Sequence, residues 1–423
     1  MNLKETIREQ AARAKEAAMT LARCKTALKN QALLRMADAL PSQSDVILEA
    51  NKKDIIAGEE KGLAAPLLER LTLTPKRIAD MADGIREVAA LPDPAGEILN
   101  LKRRPNGMQV GQMRVPIGLI GIIYESRPNV TADVAALCIK SGNGVLLRGG
   151  SEAIESNRAI ASVLTRAGID AGLPQNAITL IETTDRQAIF EILELSDFID
   201  LIIPRGGEGL IQTVVSHSKI PVMKHDKGLC HTFVDASADL KMAEEVVFNA
   251  KVQRPATCNA METLLVHQAI APRFLPVIAQ QLQDAGVRLR VCSRTAALLK
   301  SAGVQGFIAA TEDDFKTEYL DLILSVKIVD HLDAAISHIA QYGSAHSEAI
   351  ITQDYNQAMR FLNEVDASAV FINASTRLND GYQLGLGAEM GISTSRIHAR
   401  GPMGLEALTC PKFIVLGDGH VRE

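Results

Sequence analysis

The chain has 423 residues, 45 Lys and Arg against 50 Asp and Glu, a formal charge of -5 and 47% hydrophobic residues. That length calls for about two to three domains, and the slightly acidic balance excludes a general electrostatic attraction to nucleic acid or an anionic membrane. Six scattered cysteines with no CxxC pair read as reduced thiols of a cytoplasmic protein, not as a zinc site or a disulfide framework, and no metal site is expected.

The first stretch, MNLKETIREQAARAKEAAMTLARCK, alternates charge with alanine, which makes it an amphipathic helix and neither a signal peptide nor a membrane span. Apolar residues keep helical spacing to about residue 90, with breaks expected at Pro41 and Pro75. NLKRRPNGMQVGQMRVPIG then places a Pro-Asn-Gly turn between alternating residues, the pattern of a projecting hairpin. From Gly118, strands and helices alternate: GLIGIIYE, a helix over 130–141, GVLLRGG, a helix over 152–171, AITLIET, a helix over 185–195, FIDLIIPRGG and a short helix. Such near-continuous apolar runs between helices predict a parallel sheet covered on both faces, with ligands at strand carboxyl ends.

A polar link at HDKGL sets a boundary near residue 226, after which CHTFVDAS, CNAMETLLVH, RLRVCSR, YLDLILSVKIV, SEAIITQD and AVFINAS repeat the alternation. Past residue 375 the chain becomes glycine-rich, and it closes on one late strand, KFIVLG, expected to pair with the hairpin within a subunit or across a dimer. The fold class is therefore α/β, with two doubly wound domains and a small β element. Residues 1–97 and 116–226 form the first domain, 227–380 the second, and 98–115 with 407–423 the β element, read as an oligomerisation device.

Most cysteines are buried filler, and Cys24, Cys138 and Cys292 are read that way. Cys258 differs, because PATCNAMETLLVH puts it after a proline-containing loop, at the expected start of a strand, with Arg254 close behind. A thiol of ordinary pKa, about 8.5, becomes a nucleophile only beside cationic or amide neighbours, which such a loop can provide. Cys230 and His231 are adjacent on a strand and point to opposite faces, so they are read as structural and not as a dyad.

PATCNAMETLLVH, YESRPNVTADVAALCIKSGNGVLLRGGSEA and FINASTRLNDGYQLGLGAEMGISTSR together resemble the aldehyde dehydrogenase superfamily over nearly the whole chain, and within it the branch that reduces an acyl phosphate. The resemblance implies an aldehyde dehydrogenase-like fold and NADPH-dependent reduction of L-glutamyl 5-phosphate to glutamate 5-semialdehyde, a step of proline biosynthesis. It makes Cys258 the nucleophile and Asn129 an oxyanion donor alongside the Cys258 backbone N–H. A helix N-cap is the second sensible role for Asn129. Arg148, in place of the superfamily's usual lysine, and Ser151 suit the 2′-phosphate of NADPH, while an inward-pointing Glu152 would oppose it. Gly206 and Gly207 open a helix whose N–H groups would face the cofactor's pyrophosphate. Glu318 or Asp321 would hold the nicotinamide ribose, and the choice between them stays open.

For the substrate, the same resemblance offers Ser393 or Thr394 to the α-carboxylate and Arg127 and Arg254 to the acyl phosphate. His225 stands where hydrolytic relatives carry a glutamate base, either touching phosphate or satisfying the core. The missing base argues against a hydrolytic aldehyde dehydrogenase, and a Cys-dependent acyltransferase without nicotinamide is the rival of another class. A homo-oligomer and a transient contact with a separate glutamate kinase are the expected partnerships.

Overall fold

Near-continuous apolar runs cannot leave either face in water, and they form two parallel sheets in the computed structural model, which describes residues 2–224 and 227–422. Two units carry them: Met1–Lys224 with Gly385–Gly391 and Met403–Glu423, and His225–Leu384 with Ile392–Pro402.

In the first unit five helices lead: α1 (Leu3–Leu21), α2 (Thr26–Ser42), α3 (Ser44–Glu60), α4 (Ala65–Leu71) and α5 (Pro75–Ala90). Pro41 lies in the last turn of α2, just before the chain breaks. Pro75 begins α5 instead of ending a helix, because a first-turn N–H needs no intrahelical acceptor. Strands β1 (Ile98–Arg103) and β2 (Gln109–Pro116) form the hairpin. They are followed by β3 (Leu119–Tyr124), α6 (Asn129–Ser141), β4 (Gly144–Gly149), α7 (Ile154–Asp170), β5 (Ile178–Leu180), α8 (Gln187–Leu193), β6 (Leu201–Arg205) and α9 (Glu208–His217).

The parallel order is β5-β4-β3-β6, so the topology reverses beside β3, and β3 and β4 are buried at every residue. Helix α1 turns Ala11, Ala14 and Ala18 to this sheet, and a Cβ on Gly144 would lie 2.8 Å from that of Ala18. Small residues on both partners let helix and strand approach closely.

The second unit holds β7 (Cys230–Val234), α10 (Leu240–Val252), β8 (Met261–His267), α11 (Ala271–Asp284), β9 (Arg288–Val291), α12 (Ser293–Ser301), β10 (Ile308–Ala309), β11 (Ile323–Val329), α13 (Leu332–Tyr342), β12 (Ser347–Ile351), α14 (Tyr355–Glu364) and β13 (Ala369–Ile372). Its sheet runs β10-β9-β11-β8-β7-β12-β13, all parallel, with apolar clusters on both faces around Phe274 and Phe361. Helix α12 and strand β10 were not expected from the sequence. SRTAALLKS turns only Thr295 and Leu299 fully inward, too short a stripe to stand out.

A short ribbon, β14 (Ile392–Ser393) with β15 (Gly401–Pro402), follows. The late strand β16 (Thr409–Leu416) pairs antiparallel with β2 of the same chain, from Thr409 opposite Pro116 to Leu416 opposite Gln109. The resulting β1-β2-β16 sheet leaves Ile98, Phe413 and Val415 more than half exposed. Among the described residues no helix is long and apolar enough to cross a membrane.

Candidate active site

Cys258 does not begin a strand. It occupies a turn three residues before β8, at the amino edge of the sheet and not at a carboxyl end. The turn is tied down by its neighbours. Lys251 in the last turn of α10 and Glu262 at the start of β8 form an ion pair of 2.8 Å, with both side chains at most 1% exposed, so the loop is pinned at both ends. Glu262 also accepts the Leu320 N–H at 3.1 Å. Burial pushes its carboxyl up to about 7 even though Lys251 draws it back. Inside the loop the Thr257 hydroxyl donates to the Arg254 carbonyl at 2.8 Å, and the Ala260 N–H to the Thr257 carbonyl at 3.0 Å.

Asn259 is the third anchor. Its amide nitrogen donates to the Asn379 carbonyl at 3.0 Å, its own carbonyl accepts the Thr376 hydroxyl at 2.8 Å, and its side-chain oxygen accepts from Arg377 Nη1. Beneath the turn runs the segment entering β7. A Cβ on Gly228 would lie 2.6 Å from Cys258 Cα and nearer still to its carbonyl oxygen, so only glycine fits there. The Cys230 thiol donates to that same carbonyl at 3.2 Å. Burial, with the Glu348 carboxylate second, pushes the Cys230 thiol well up, so it stays a protonated donor. Cys258 is half-buried while Cys138 is fully buried, and burial raises the Cys138 thiol far above its ordinary range. His231 bonds Glu348 at 3.0 Å, on the face opposite Cys230, as alternation along a strand requires.

Glu318 and Asp321, undecided from sequence, part company. Both precede β11 in a loop, but Glu318 accepts the Gly228 N–H at 2.9 Å, whereas Asp321 is exposed and pairs with Arg288 at 2.8 Å. Glu318 therefore belongs to the shell of the Cys258 turn. Ser393 is buried in β14 and accepts the Ser395 N–H at 3.1 Å, with Thr394 next to it and half-buried. Arg254 is exposed. His225 lies outside the described residues.

In the first unit the other candidates cluster at strand carboxyl ends. Arg148 is the penultimate residue of β4 and only 6% exposed. It reaches the Thr184 and Asp185 carbonyls at a long 3.5 and 3.4 Å, and its buried Nε has no partner among the described residues. A buried guanidinium with spare donors fits a phosphate-bearing group, and burial lowers its pKa against the pull of Glu152. Glu152 turns instead to Ser126, accepting its N–H at 2.6 Å and hydroxyl at 2.8 Å, and Ser151 is exposed. Gly207 caps α9, but its N–H already donates to Glu125 at 2.9 Å, and Gly206 leaves room for that carboxylate. The amide expected to face a pyrophosphate thus holds a side-chain anion, which suits the positive end of a helix equally well. Arg127, two residues after Glu125 in the chain, is exposed.

Asn129 is not the N-cap of α6. Pro128 takes that position, and the Asn129 amide nitrogen donates to Asp133 at 3.0 Å, one turn on. Burial pushes Asp133 up to about 6, while the Asn129 bond and the Arg205 guanidinium draw it down. The folded chain therefore holds this proton more tightly than the unfolded chain, whose value is near 3.8, and ionised Asp133 costs stability that grows as pH rises through this window. Asp133→Asn is expected to gain stability over the parent by about 1–2 kcal/mol more at pH 8 than at pH 5, read by urea unfolding. A gap independent of pH would refute the assignment.

Gly228, Arg377 and the Lys251–Glu262 pair were missed from sequence. The last had a signal, a Lys and a Glu bracketing the cysteine loop; the others meet the loop only through the fold.

A model of the aldehyde dehydrogenase family matches residues 2–293. Curated relatives named gamma-glutamyl phosphate reductase from Thermodesulfovibrio yellowstonii and Moorella thermoacetica are 57% and 55% identical over 423 residues, covering 100% of each chain. The crystal structure of a gamma-glutamyl phosphate reductase from Thermotoga maritima superposes with a TM-score of 0.95 at 48% identity, covering 99% of this chain and 100% of that one. An acetylating aldehyde dehydrogenase from Geobacillus thermoglucosidasius, 17% identical with a TM-score of 0.72 over 100% of this chain and 98% of that one, shares the fold.

Proposed function

The chain belongs to the aldehyde dehydrogenase family, and from that premise we propose that it reduces L-glutamyl 5-phosphate to glutamate 5-semialdehyde and phosphate, in the direction of proline biosynthesis. The full-length identity to relatives named for this reaction carries the reading, and the Cys258 turn supplies its chemistry. The Cys258 thiolate attacks the acyl carbon, the bond from that carbon to the phosphate oxygen breaks, and inorganic phosphate leaves a thioester behind. NADPH, when bound, supplies the hydride that reduces this thioester. The resulting thiohemiacetal gives up its proton as the carbon–sulfur bond breaks, and the aldehyde departs while Cys258 is restored.

The Asn129 carboxamide donates to the oxyanion. Asp133 holds one of its two N–H groups, which fixes the plane of the carboxamide and leaves the other N–H for the reaction. Arg148 holds the NADPH 2′-phosphate beside Ser151, with a nitrogen that lacks a partner among the described residues, Gly206 and Gly207 lie against the pyrophosphate, and Glu318 takes the ribose in preference to Asp321. Ser393 and Thr394 face the substrate's α-carboxylate, and Arg127 and Arg254 its phosphate. The exposed apolar side chains of the β1-β2-β16 sheet support a homo-oligomer, and cysteines that form no disulfide among the described residues support a cytoplasmic setting.

The test runs the reaction backwards, following NADPH absorbance with glutamate 5-semialdehyde, NADP and inorganic phosphate. NADPH formation that requires phosphate is expected. Formation without phosphate would assign the protein to hydrolytic oxidation, and none at all would favour an acyltransferase without nicotinamide. In the same assay Asn129→Ala is expected to lower kcat by about 10²–10³-fold with the KM for NADP unchanged; a loss under threefold would remove Asn129 from the oxyanion site. An acyl phosphate is labile, so a glutamate kinase delivering it directly is part of the reading. Turnover from glutamate and ATP with both proteins present checks that link, and its absence would break it.

A further inference from the structure

Arg377 lies 119 positions along the chain from Cys258, yet its side chain spans the nucleophile loop. Nε donates to the Gln253 side-chain oxygen at 2.9 Å, at the loop's start, and Nη1 donates to Asn259, at its end. Both acceptors are neutral carboxamides. Nη2 donates to none of the described residues. The segment that carries Arg377 is rigid, since Ser375, Thr376 and Asn379 are buried and Thr376 and Asn379 are bonded to Asn259.

Arg254 adjoins Gln253, the residue that Arg377 holds. The two guanidinium groups are close enough for Arg254 to depress the Arg377 pKa, second only to burial. Neither has a carboxylate within ion-pair distance among the described residues. Asp380 offsets Arg254 most, with the Cys258 and Cys230 thiols after it, but Asp380 turns Oδ1 to the Tyr382 and Gln383 N–H groups at 3.0 and 3.4 Å. Two positive groups crowded beside a nucleophile, one half-buried and bonded only to neutral oxygens, are repulsive unless an anion joins them.

We propose that Arg377 and Arg254 form a seat for inorganic phosphate beside Cys258, with Arg377 coupling its occupancy to the position of the nucleophile loop. The inference rests on the acyl-phosphate reading and deepens it. On reduction the seat takes the leaving phosphate as the acyl carbon–oxygen bond breaks; on oxidation it presents phosphate to the thioester. Because Arg377 grips both ends of the loop, an anion drawn to its remaining N–H groups also draws the loop together. A planar fork with donors to spare is the side chain suited to that double duty.

Two measurements on the full chain test it, with Arg377→Lys, Arg377→Gln and Arg254→Gln. In the oxidative assay the KM for inorganic phosphate is expected to rise at least about tenfold in Arg377→Gln, less in Arg377→Lys and Arg254→Gln, with the KM for NADP unchanged. Separately, without NADP or aldehyde, inorganic phosphate is expected to slow alkylation of Cys258 by iodoacetamide in the parent and not in Arg377→Gln. Arg254 is exposed, so Arg254→Gln keeps the question open even if the Arg377 variants fold poorly. Phosphate protection that fails in the parent, or a phosphate KM unchanged in Arg254→Gln and the folded Arg377 variants, overturns the seat. Protection that the variants lose while the parent oxidises aldehyde without phosphate would support the seat and sink the acyl-phosphate reaction instead.

Discussion

Cys258→Ala is expected to abolish NADPH formation from glutamate 5-semialdehyde, NADP and phosphate, by at least about 10⁴-fold. The neighbouring thiol cannot take over the acyl chain, because Cys230 is fully buried and held protonated against the Cys258 carbonyl. The fold should not notice the change. The side chain is half-buried in a turn whose anchors are backbone groups, the Lys251–Glu262 pair and Asn259, and all of them survive removal of the sulfur. The melting temperature is therefore expected to stay within about 2 °C of the parent, as for substitutions that leave packing intact. The chain has no tryptophan, so NADPH fluorescence can be followed without protein emission near it, and the variant is expected to bind the dinucleotide as the parent does. Residual activity above 1% with normal binding would place the chemistry on another residue.

Gly228→Ala tests the architecture beneath the nucleophile. The added methyl meets Cys258 Cα and carbonyl carbon at 2.6 Å, and these are backbone atoms that cannot rotate away. The Cys258 turn must rise or the segment entering β7 must sink. Sinking would break the Gly228 N–H bond to Glu318 and the Leu229 N–H bond to Ser344, both 2.9 Å. Overpacking of this kind costs about 1–3 kcal/mol or more, and a displacement of about 1 Å at a reacting atom is worth about 10²-fold in rate. We expect kcat to fall by about 10²-fold or more, together with a lower melting temperature. Gly209 is the matched control: it lies in α9, and a Cβ there meets nothing within 4 Å. Gly209→Ala should be neutral or slightly stabilising, since alanine has less freedom to lose in a helix. Equal behaviour of the two variants would contradict the packing of Gly228 under the turn.

By itself the sequence determined the alternation of strands and helices, because a strand buried on both faces and an amphipathic helix each write a period into consecutive residues. GVLLRG is buried throughout and METLLVH at every residue but the last, as near-continuous apolar runs predict, and the Pro-Asn-Gly hairpin and the late strand KFIVLG find each other in one sheet. It also supplied the residue types for the chemistry and, through resemblance, a role for each. Tertiary structure alone decided which of those residues meet. Glu318 and Asp321 are three residues apart in one motif, yet one bonds the segment under Cys258 and the other pairs with Arg288. Asn129 looks like a cap until Pro128 takes that position and Asp133 takes its amide. Gly228 and Arg377 carry no local mark at all. A contact between positions 30 or 119 residues apart depends on strand order and on how loops close over a sheet edge, and neither leaves a trace in the periodicity of either segment.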